Sequence, residues 1–239
     1  MNVAIIAAAG QGKRMGGRRA KQFLELAGTP IIIHTLKRFE QCPAVDEVFV
    51  VLPAADAASF LALAAPYGLR KLSRVVVGGA TRAESVWRAL QAVRAATAHV
   101  VAVHDGVRPF VTPEEIARTI ALADETGAAI LTAPATDTIK EVENGEVRRT
   151  LARASLRHAL TPQCFRYALL RRAYEEASDL LSAAADITDD SALVERLGHR
   201  VTVVEGDARN IKITRPADIA VAEIILKQMS DGRALDDGV

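Results

Sequence analysis

Short apolar runs alternate along the chain with longer segments in which apolar residues recur every three or four positions. The short runs predict buried β-strands, and the longer period predicts amphipathic helices that cover them. The strands are expected at 3–8, 47–53, 73–79, 99–109 (a strand running into a loop), 128–134 and 199–207. The helices are expected at 29–42, 54–67, 81–96, 112–127, 162–178, 187–198 and 215–228.

These repeated strand–helix units indicate an α/β protein whose mostly parallel twisted sheet has helices on both faces. We expect one Rossmann-like domain over residues 1–230 and a flexible tail at 231–239. In such sheets ligands bind beyond the carboxyl ends of the strands. The segments expected at that edge are therefore 8–21, 78–85, 104–109, 133–138 and 205–212.

One segment breaks the strand–helix alternation. The residues "DTIKEVENGEVRRTLAR" alternate between apolar and polar around Asn144 and Gly145. An Asn-Gly pair flanked in this way is a strong β-hairpin signal. We therefore predict a projecting arm at about 135–157. An isolated hairpin is only marginally stable in water, so this one is predicted to pack against another subunit.

Composition limits the possible functions. The chain has 239 residues, a 50% hydrophobic fraction and a net charge of +1, so general attraction to nucleic acid or to a membrane surface is not indicated. The two cysteines, Cys42 and Cys164, form no CxxC pair, which disfavours a zinc site or dithiol chemistry. The N-terminal "MNVAIIAAAG" reads as a strand and not as a signal peptide. These features fit a reduced, cytoplasmic setting.

The glycine-rich stretch "AAAGQGKRMGGRRAKQF" directly follows the first predicted strand. It does not match the dinucleotide-binding fingerprint, because Met15 stands where the third glycine is required. It also fails as a P-loop, because Arg18 and Arg19 follow the second glycine in place of Lys and Ser or Thr. We therefore interpret the stretch as a phosphate-binding loop of another kind. The alternative is a basic loop that is simply solvated.

Charge indicates which side chains of this loop meet a ligand. Its backbone N–H groups stand beside positive side chains, and a triphosphate carries about four negative charges that such a loop must neutralise. Arg14 and Lys21 are the best candidates for this role.

The loop "AAAGQGKRMG…AKQF" resembles the nucleotidyltransferase signature. The motifs "GGATRAESV", "HDGVRPFV", "APATDTIK", "HALTPQCF", "ITDDSAL" and "EGDARNIKITRPADI" narrow the match. Together they resemble the 2-C-methyl-D-erythritol 4-phosphate cytidylyltransferase family of the non-mevalonate isoprenoid pathway, from Val3 to about Ile225. The resemblance implies transfer of a cytidylyl group from CTP to the polyol phosphate, a divalent cation such as Mg²⁺, and a homodimer formed through the arm.

The resemblance also assigns roles to residues. Catalytic roles fall on Arg14, Lys21, Arg153 and Lys212. Substrate-binding roles fall on Ala8, Ala9, Gly10, Gly79, Ala83, Ser85, Asp105, Gly106, Arg108, Thr138, Thr161 and Thr188. Thr138 and Arg153 lie on the arm and are expected to reach the neighbouring subunit's site. In two places the chain departs from the family pattern: Gly106 replaces an alanine of many relatives, and Arg209 replaces an acidic residue of some.

Asp105 ends an apolar strand, where a carboxylate is unexpected without a purpose. It could coordinate a metal ion or bind a substrate hydroxyl. It could instead form an Asx-turn that shapes the "DGVRP" loop. The residues alone leave these possibilities open.

The implied chemistry needs cations rather than a proton-abstracting side chain. A phosphate monoester is largely dianionic at neutral pH and can attack the α-phosphorus of CTP directly. The barrier is then repulsion between anions, which arginine and lysine reduce. One alternative is a cytidylyltransferase for another polyol phosphate, such as ribitol 5-phosphate. Another is a nucleotide-sensing module on the same fold, which the presence of Arg14, Lys21 and Lys212 disfavours.

Overall fold

A seven-stranded sheet organises the protein. The computed structural model describes residues 1–10, 20–179, 187 and 189–230. The strands of the main sheet are β1 (Asn2–Ala7), β4 (Glu47–Leu52), β5 (Leu72–Val77), β6 (Val100–Asp105), β7 (Ala128–Pro134), β10 (Arg157–Arg166) and β11 (Thr202–Glu205). The remaining strands are β2 (Glu25–Leu26), β3 (Thr29–Pro30), β8 (Lys140–Glu143) and β9 (Glu146–Thr150).

The sheet has the order β11-β7-β10-β6-β1-β4-β5. Parallel pairing joins β6 to β1, β1 to β4, β4 to β5, and β7 to β11, whereas β10 runs antiparallel to both of its neighbours. The mostly parallel α/β sheet predicted from the sequence is therefore confirmed. The carboxyl ends of β1, β5 and β6 meet at one edge.

Helices cover both faces of the sheet. They are α1 (Ile31–Gln41), α2 (Ala54–Ala64), α3 (Arg82–Ala92), α4 (Pro113–Thr126), α5 (Tyr167–Glu176), α6 (Ser191–Arg196) and α7 (Pro216–Ser230). One apolar layer packs α1, α2 and α4 on the sheet through Leu36, Phe60 and Ile116. The other packs α3, α5 and α6 through Val86, Leu170 and Val194. Burial of these stripes is the main force that fixes the helices on the sheet.

The predicted helix at 162–178 is wrong over its first part. Residues 157–166 form β10, and the helix begins only at Tyr167. A proline seemed to mark a helix start, but Pro162 lies where the pairing of β10 with β7 shifts register between Ala159 and Gln163. A proline is tolerated at such an irregularity because no ladder hydrogen bond depends on its nitrogen. Pairing on both sides therefore outweighs the local helical pattern.

The helices expected at 81–96 and 112–127 begin within a residue of their expected starts, whereas the helix expected from 187 begins only at Ser191. Thr112 and Glu115 form a complete capping box at α4. At α3 the Thr81 hydroxyl accepts from the Glu84 N–H, but the Glu84 carboxylate accepts from Ala80 instead of Thr81. Both arrangements satisfy N–H groups that a helix end leaves without partners.

The predicted arm is a two-stranded hairpin, β8 paired with β9, that forms its own sheet. Asn144 and Gly145 have φ values of 53° and 85°, the positive values that a type I′ turn requires. Val142 and Val147 pair across the strands, and their side chains are 59% and 61% exposed. The hairpin therefore presents an apolar spot to the outside of the chain.

Within the described ranges, no helix combines the length and apolar character that crossing a bilayer requires.

Candidate active site

A cleft of about 560 Å³ opens at the carboxyl ends of β1, β5 and β6. Its position is the one expected for ligand binding in a parallel sheet. The cleft is lined by Ala7, Ala8, Ala9, Gly10, Lys21, Gln22, Gly79, Ala80, Thr81, Arg82, Ser85, Asp105, Val107 and Lys212. Eight predicted site residues are therefore brought together: Ala8, Ala9, Gly10, Lys21, Gly79, Ser85, Asp105 and Lys212.

Small residues let the strand ends approach one another beneath the cleft. The Ala8 N–H donates to Val51 O at 2.9 Å, and the Gly106 N–H donates to Ala7 O at 2.9 Å. A Cβ atom added to Gly106 would lie 2.8 Å from the Ala8 Cβ, closer than real carbon contacts. Gly106 thus fits a close contact between the ends of β1 and β6.

The start of α3 forms a second wall. The Ser85 hydroxyl accepts from the Gly79 N–H at 3.0 Å and donates to Thr81 O at 2.8 Å. Ser85 therefore shapes the Gly79 turn as well as lining the cleft. Ala83, which was predicted to bind substrate, is 3% exposed and packs in the apolar layer beneath α3 instead of lining the cleft.

Three cations converge on Asp105. The Lys212 Nζ lies 2.9 Å from Oδ2, the Arg108 Nε 3.3 Å from Oδ2 and the Arg82 Nε 3.4 Å from Oδ1. Burial opposes ionisation of this carboxyl, but Arg82, Lys212 and Arg108 together hold its pKa well below the usual range. Asp105 is therefore an anion that balances a local excess of positive charge.

Buried hydrogen bonds fix the strand end that carries Asp105. The Asp105 N–H donates to the Thr161 Oγ1 at 3.2 Å, and His104 Nδ1 lies 2.9 Å from that hydroxyl. The His104 Nε2 faces Arg108 O at 3.0 Å. A carbonyl can only accept, so the imidazole carries its proton on Nε2 and accepts from Thr161 at Nδ1. Thr161, on β10, thereby supports the site although it does not line the cleft.

His104 makes stability depend on pH. Burial lowers the pKa of His104 to about 4, so the unfolded chain takes up this proton first as pH falls. The stability that the neutral imidazole contributes is complete above about pH 6.5 and declines towards pH 4, by about 3 kcal/mol. We expect urea unfolding at a series of pH values to show this loss. A His104→Asn variant should show a flatter profile, whereas the exposed control His158→Gln should keep the wild-type profile; an unchanged slope in His104→Asn would contradict the assignment.

The loop after β11 brings Lys212 to Asp105. The fully buried Asn210 donates through Nδ2 to Thr161 O at 2.8 Å, and Arg108 Nη1 donates to Asn210 O at 2.7 Å. The buried Glu115 accepts from the Asp207 N–H at 2.7 Å. Asp207 itself is engaged by Arg209, at 2.7 Å between Oδ2 and Nε, so it does not replace an acidic group at the Arg209 position.

Two further predicted residues lie away from the cleft, and two others lie outside the described residues. Thr138 and Arg153 are exposed at the base of the arm, where Arg153 Nη1 donates to Thr136 O at 3.0 Å. Neither lines the cleft of its own chain. Arg14 and Thr188 lie outside the described residues.

Sequence reasoning missed Arg82 and Gln22, which both line the cleft. Gln22 is 1% exposed, and its Nε2 has no hydrogen-bond partner within the described part of the chain. Arg82 had a detectable signal. A cation in the first turn of a helix opposes the helix dipole, so an arginine directly after the N-cap Thr81 indicates carboxylates nearby.

The metal role considered for Asp105 gains no support from the geometry. Its carboxylate oxygens are already engaged by three cationic side chains. In the portion of the chain that the structure describes, no group of three or more His, Cys, Asp or Glu residues could hold a metal ion. These residues therefore do not fit a Mg²⁺ ion held by the protein alone.

A mostly parallel sheet with a cationic, glycine-lined cleft at the strand ends is typical of α/β proteins that bind phosphate-bearing ligands. The family model "IspD: 2-C-methyl-D-erythritol 4-phosphate cytidylyltransferase" matches residues 2–228. The chain belongs to this family.

Individual relatives agree with that assignment. The 2-C-methyl-D-erythritol 4-phosphate cytidylyltransferase of Geobacter metallireducens is 45% identical over 231 residues, covering 94% of this chain and 97% of the relative. The crystal structure of 4-diphosphocytidyl-2C-methyl-D-erythritol synthase from Anaerococcus prevotii superposes with a TM-score of 0.82 at 31% identity, covering 95% and 96% of the two chains. The crystal structure of 2-C-methyl-D-erythritol 4-phosphate cytidylyltransferase from Thermus thermophilus has a TM-score of 0.74 at 35% identity, covering 94% of this chain and 98% of that chain.

Proposed function

We propose that the cleft transfers a cytidylyl group from CTP to 2-C-methyl-D-erythritol 4-phosphate. The products are 4-diphosphocytidyl-2-C-methyl-D-erythritol and pyrophosphate. The family assignment supports this acceptor over ribitol 5-phosphate. The observation that carries the proposal on the structural side is the convergence of Lys212, Arg108 and Arg82 at a cleft that Lys21 also lines.

The reaction is an in-line displacement at phosphorus. An oxygen of the acceptor phosphate forms a bond to the α-phosphorus, and the bond from that phosphorus to the bridging oxygen of the β-phosphate breaks. The electron pair leaves with pyrophosphate. The dianionic acceptor needs no base, so the protein contributes alignment and positive charge.

The cleft residues divide between the two substrates in this proposal. The backbone of Ala8 to Gly10 and the Gly79 turn receive the nucleotide, with Lys21 and Arg14 on its triphosphate. Arg is suited to bidentate contact with phosphate oxygens, and Lys acts as a mobile point charge. The Lys212 Nζ lies 2.9 Å from Asp105 Oδ2, and the Lys212 side chain is 37% exposed. It can therefore turn towards the acceptor phosphate.

Magnesium is proposed to enter with CTP. Mg²⁺ is commonly held by substrate phosphates and water with few protein ligands, which fits a site without a cluster of acidic side chains in the described ranges. When bound, the ion would neutralise part of the triphosphate charge. The cytoplasmic location predicted from the sequence stays a prediction.

The direct test is pyrophosphate release in a coupled assay over a grid of nucleotides and acceptors. CTP and UTP are each combined with methylerythritol phosphate, ribitol 5-phosphate or no acceptor, with and without EDTA. We expect CTP with methylerythritol phosphate to react fastest, and EDTA to stop the reaction. A faster rate with ribitol phosphate would displace the proposed acceptor. CTP binding by calorimetry without any turnover would instead favour the nucleotide-sensing module.

We further propose a homodimer in which the arm completes the neighbouring site. Val142 and Val147 expose an apolar spot on the hairpin, and an isolated hairpin gains stability by covering such a spot. Thr138 and Arg153 are exposed near the arm's base and lie away from the chain's own cleft. A partner subunit's cleft would give both residues a role.

Subunit mixing tests this arrangement. Arg153→Ala and Lys212→Ala are each expected to be nearly inactive. In a mixed dimer one site would carry both substitutions and the other neither, so random mixing should restore about a quarter of the wild-type sites. Activity is measured after the two inactive proteins are unfolded and refolded together. Absence of recovery, with dimers present by light scattering, would show that each site is built from one chain.

A further inference from the structure

Arg82 joins two carboxylates that belong to different parts of the fold. It is the first residue of α3, and its Nε lies 3.4 Å from Asp105 Oδ1 at the end of β6. Its Nη2 lies 2.8 Å from Asp190 Oδ2, directly before α6. The guanidinium thus bridges the cleft and the layer of helices behind it.

The Asp190 end of this bridge is firmly anchored. Asp190 is fully buried, and its Oδ1 accepts from the Tyr174 hydroxyl at 2.5 Å. Its N–H donates to Gln163 Oε1 on β10 at 3.0 Å. The Tyr174 ring stacks on Trp87 of α3 with 5.6 Å between the ring centroids. Asp190 is therefore held by residues of α3, α5 and β10, and it holds Arg82 in turn.

The three cations around Asp105 differ in their freedom to leave it. Lys212 is 37% exposed and carries a flexible chain, whereas Arg108 is 11% exposed and also donates to Asn210 O. Arg82 is 25% exposed, and moving it would leave Asp190 as a buried charge with no cationic partner among the described residues. Lys212 is consequently the cation best placed to exchange Asp105 for a substrate phosphate.

We propose that Arg82 is a positioning residue for nucleotidyl transfer, which bridges Asp105 to Asp190 and so keeps the Asp105 carboxylate in place when Lys212 turns to the phosphate. This inference rests on the proposed function of the cleft. Arg82 acts through Asp105 and needs no contact with the reacting atoms. Its guanidinium suits the role because one planar group can meet two carboxylates at once.

The test compares Arg82→Ala, Arg82→Lys and the double variant Arg82→Ala/Asp190→Asn with wild type. kcat and KM for CTP and the acceptor are measured by pyrophosphate release, and Tm by calorimetry. Arg82→Ala should lower kcat about tenfold to a hundredfold because the site loses alignment. The kcat of Arg82→Lys should lie between those of wild type and Arg82→Ala, because one ammonium group cannot span both carboxylates.

The double variant separates positioning from simple stability. Arg82→Ala leaves the buried Asp190 carboxylate without its arginine partner. Replacing Asp190 by the neutral Asn removes that charge, so Tm should recover while kcat stays low. Arg172→Ala is the matched control, because Arg172 pairs with Glu176 on the surface of α5. It should retain wild-type kcat and Tm. Recovery of both kcat and Tm in the double variant would overturn the inference, as would normal kcat in Arg82→Ala.

A mutant cycle with Asp105 tests the route of the effect. If Arg82 acts through Asp105, Arg82→Ala/Asp105→Asn should be no slower than Asp105→Asn alone. If the double variant lost kcat by the product of the two single losses, Arg82 would act independently of Asp105, and the inference would be overturned. A wild-type protein without transfer activity would overturn the proposed function and the inference together, whereas the outcomes above overturn the inference alone.

Discussion

Lys212→Ala is expected to lower kcat for cytidylyl transfer about a hundredfold, because one positioned donor at a developing negative charge is worth roughly 3 kcal/mol. The fold should tolerate the change. Asp105 would keep Arg82 and Arg108 as counterions, and Lys212 is partly exposed, so no buried charge is left alone. The measurement is steady-state pyrophosphate release with thermal unfolding of the same samples.

The matched control is Lys227→Ala on α7, which removes the same charge from an exposed side chain that does not line the cleft. It should keep wild-type kcat. If Lys212→Ala and Lys227→Ala behave alike, Lys212 does not act on the substrate phosphate. Lys21→Ala should resemble Lys212→Ala, since Lys21 lines the same cleft.

The largest expected effect on stability belongs to Arg82→Ala. Asp190 has no exposed side-chain surface, and within the described part of the chain Arg82 is the cation that pairs with it. Breaking a buried ion pair by removing one partner costs about 3–5 kcal/mol, because the remaining charge stays desolvated. Urea unfolding should show this decrease in the free energy of unfolding, and Arg82→Ala/Asp190→Asn should regain most of it.

Arg88→Ala is the control for that experiment. Arg88 lies on the same helix, donates to Gly78 O at 2.9 Å and pairs with Glu84, and the side chains of this pair are partly exposed, at 44% and 32%. Exposed pairs of this spacing contribute only about 0.3–0.5 kcal/mol. A loss in Arg82→Ala as small as that in Arg88→Ala would mean that Asp190 finds another partner or water.

The central sheet was predictable because its buried strands leave a local mark. Unbroken apolar runs fill most of β1, β4 and β6, as is typical of strands covered on both faces. The position of β10 was not predictable in this way. Its segment contains Pro162 and reads equally well as a helix start, and only its pairing with β6 and β7 decides the matter.

The site was predictable where backbone or charge meets the cleft directly. Lys21, Asp105 and Lys212 stand at strand ends or in the glycine-rich loop, where the topology of a parallel sheet predicts a ligand. Arg82 was missed because its role depends on Asp190, which is 108 positions further along the chain and joins it only in the folded protein. The core position of Ala83 was not foreseen, because it depends on which face α3 turns towards the sheet.

The chain leaves the sheet for the hairpin at Pro134 and returns at Arg157, and these two residues are partners in the ladder between β7 and β10. Beside them the Ala135 N–H donates to Leu156 O at 3.3 Å, and further out the Leu151 N–H donates to Ile139 O at 3.0 Å. The segments that enter and leave the hairpin are therefore hydrogen-bonded to each other from the sheet outward. The inner end of the hairpin is thus continuous with β10, the strand whose Thr161 contacts His104.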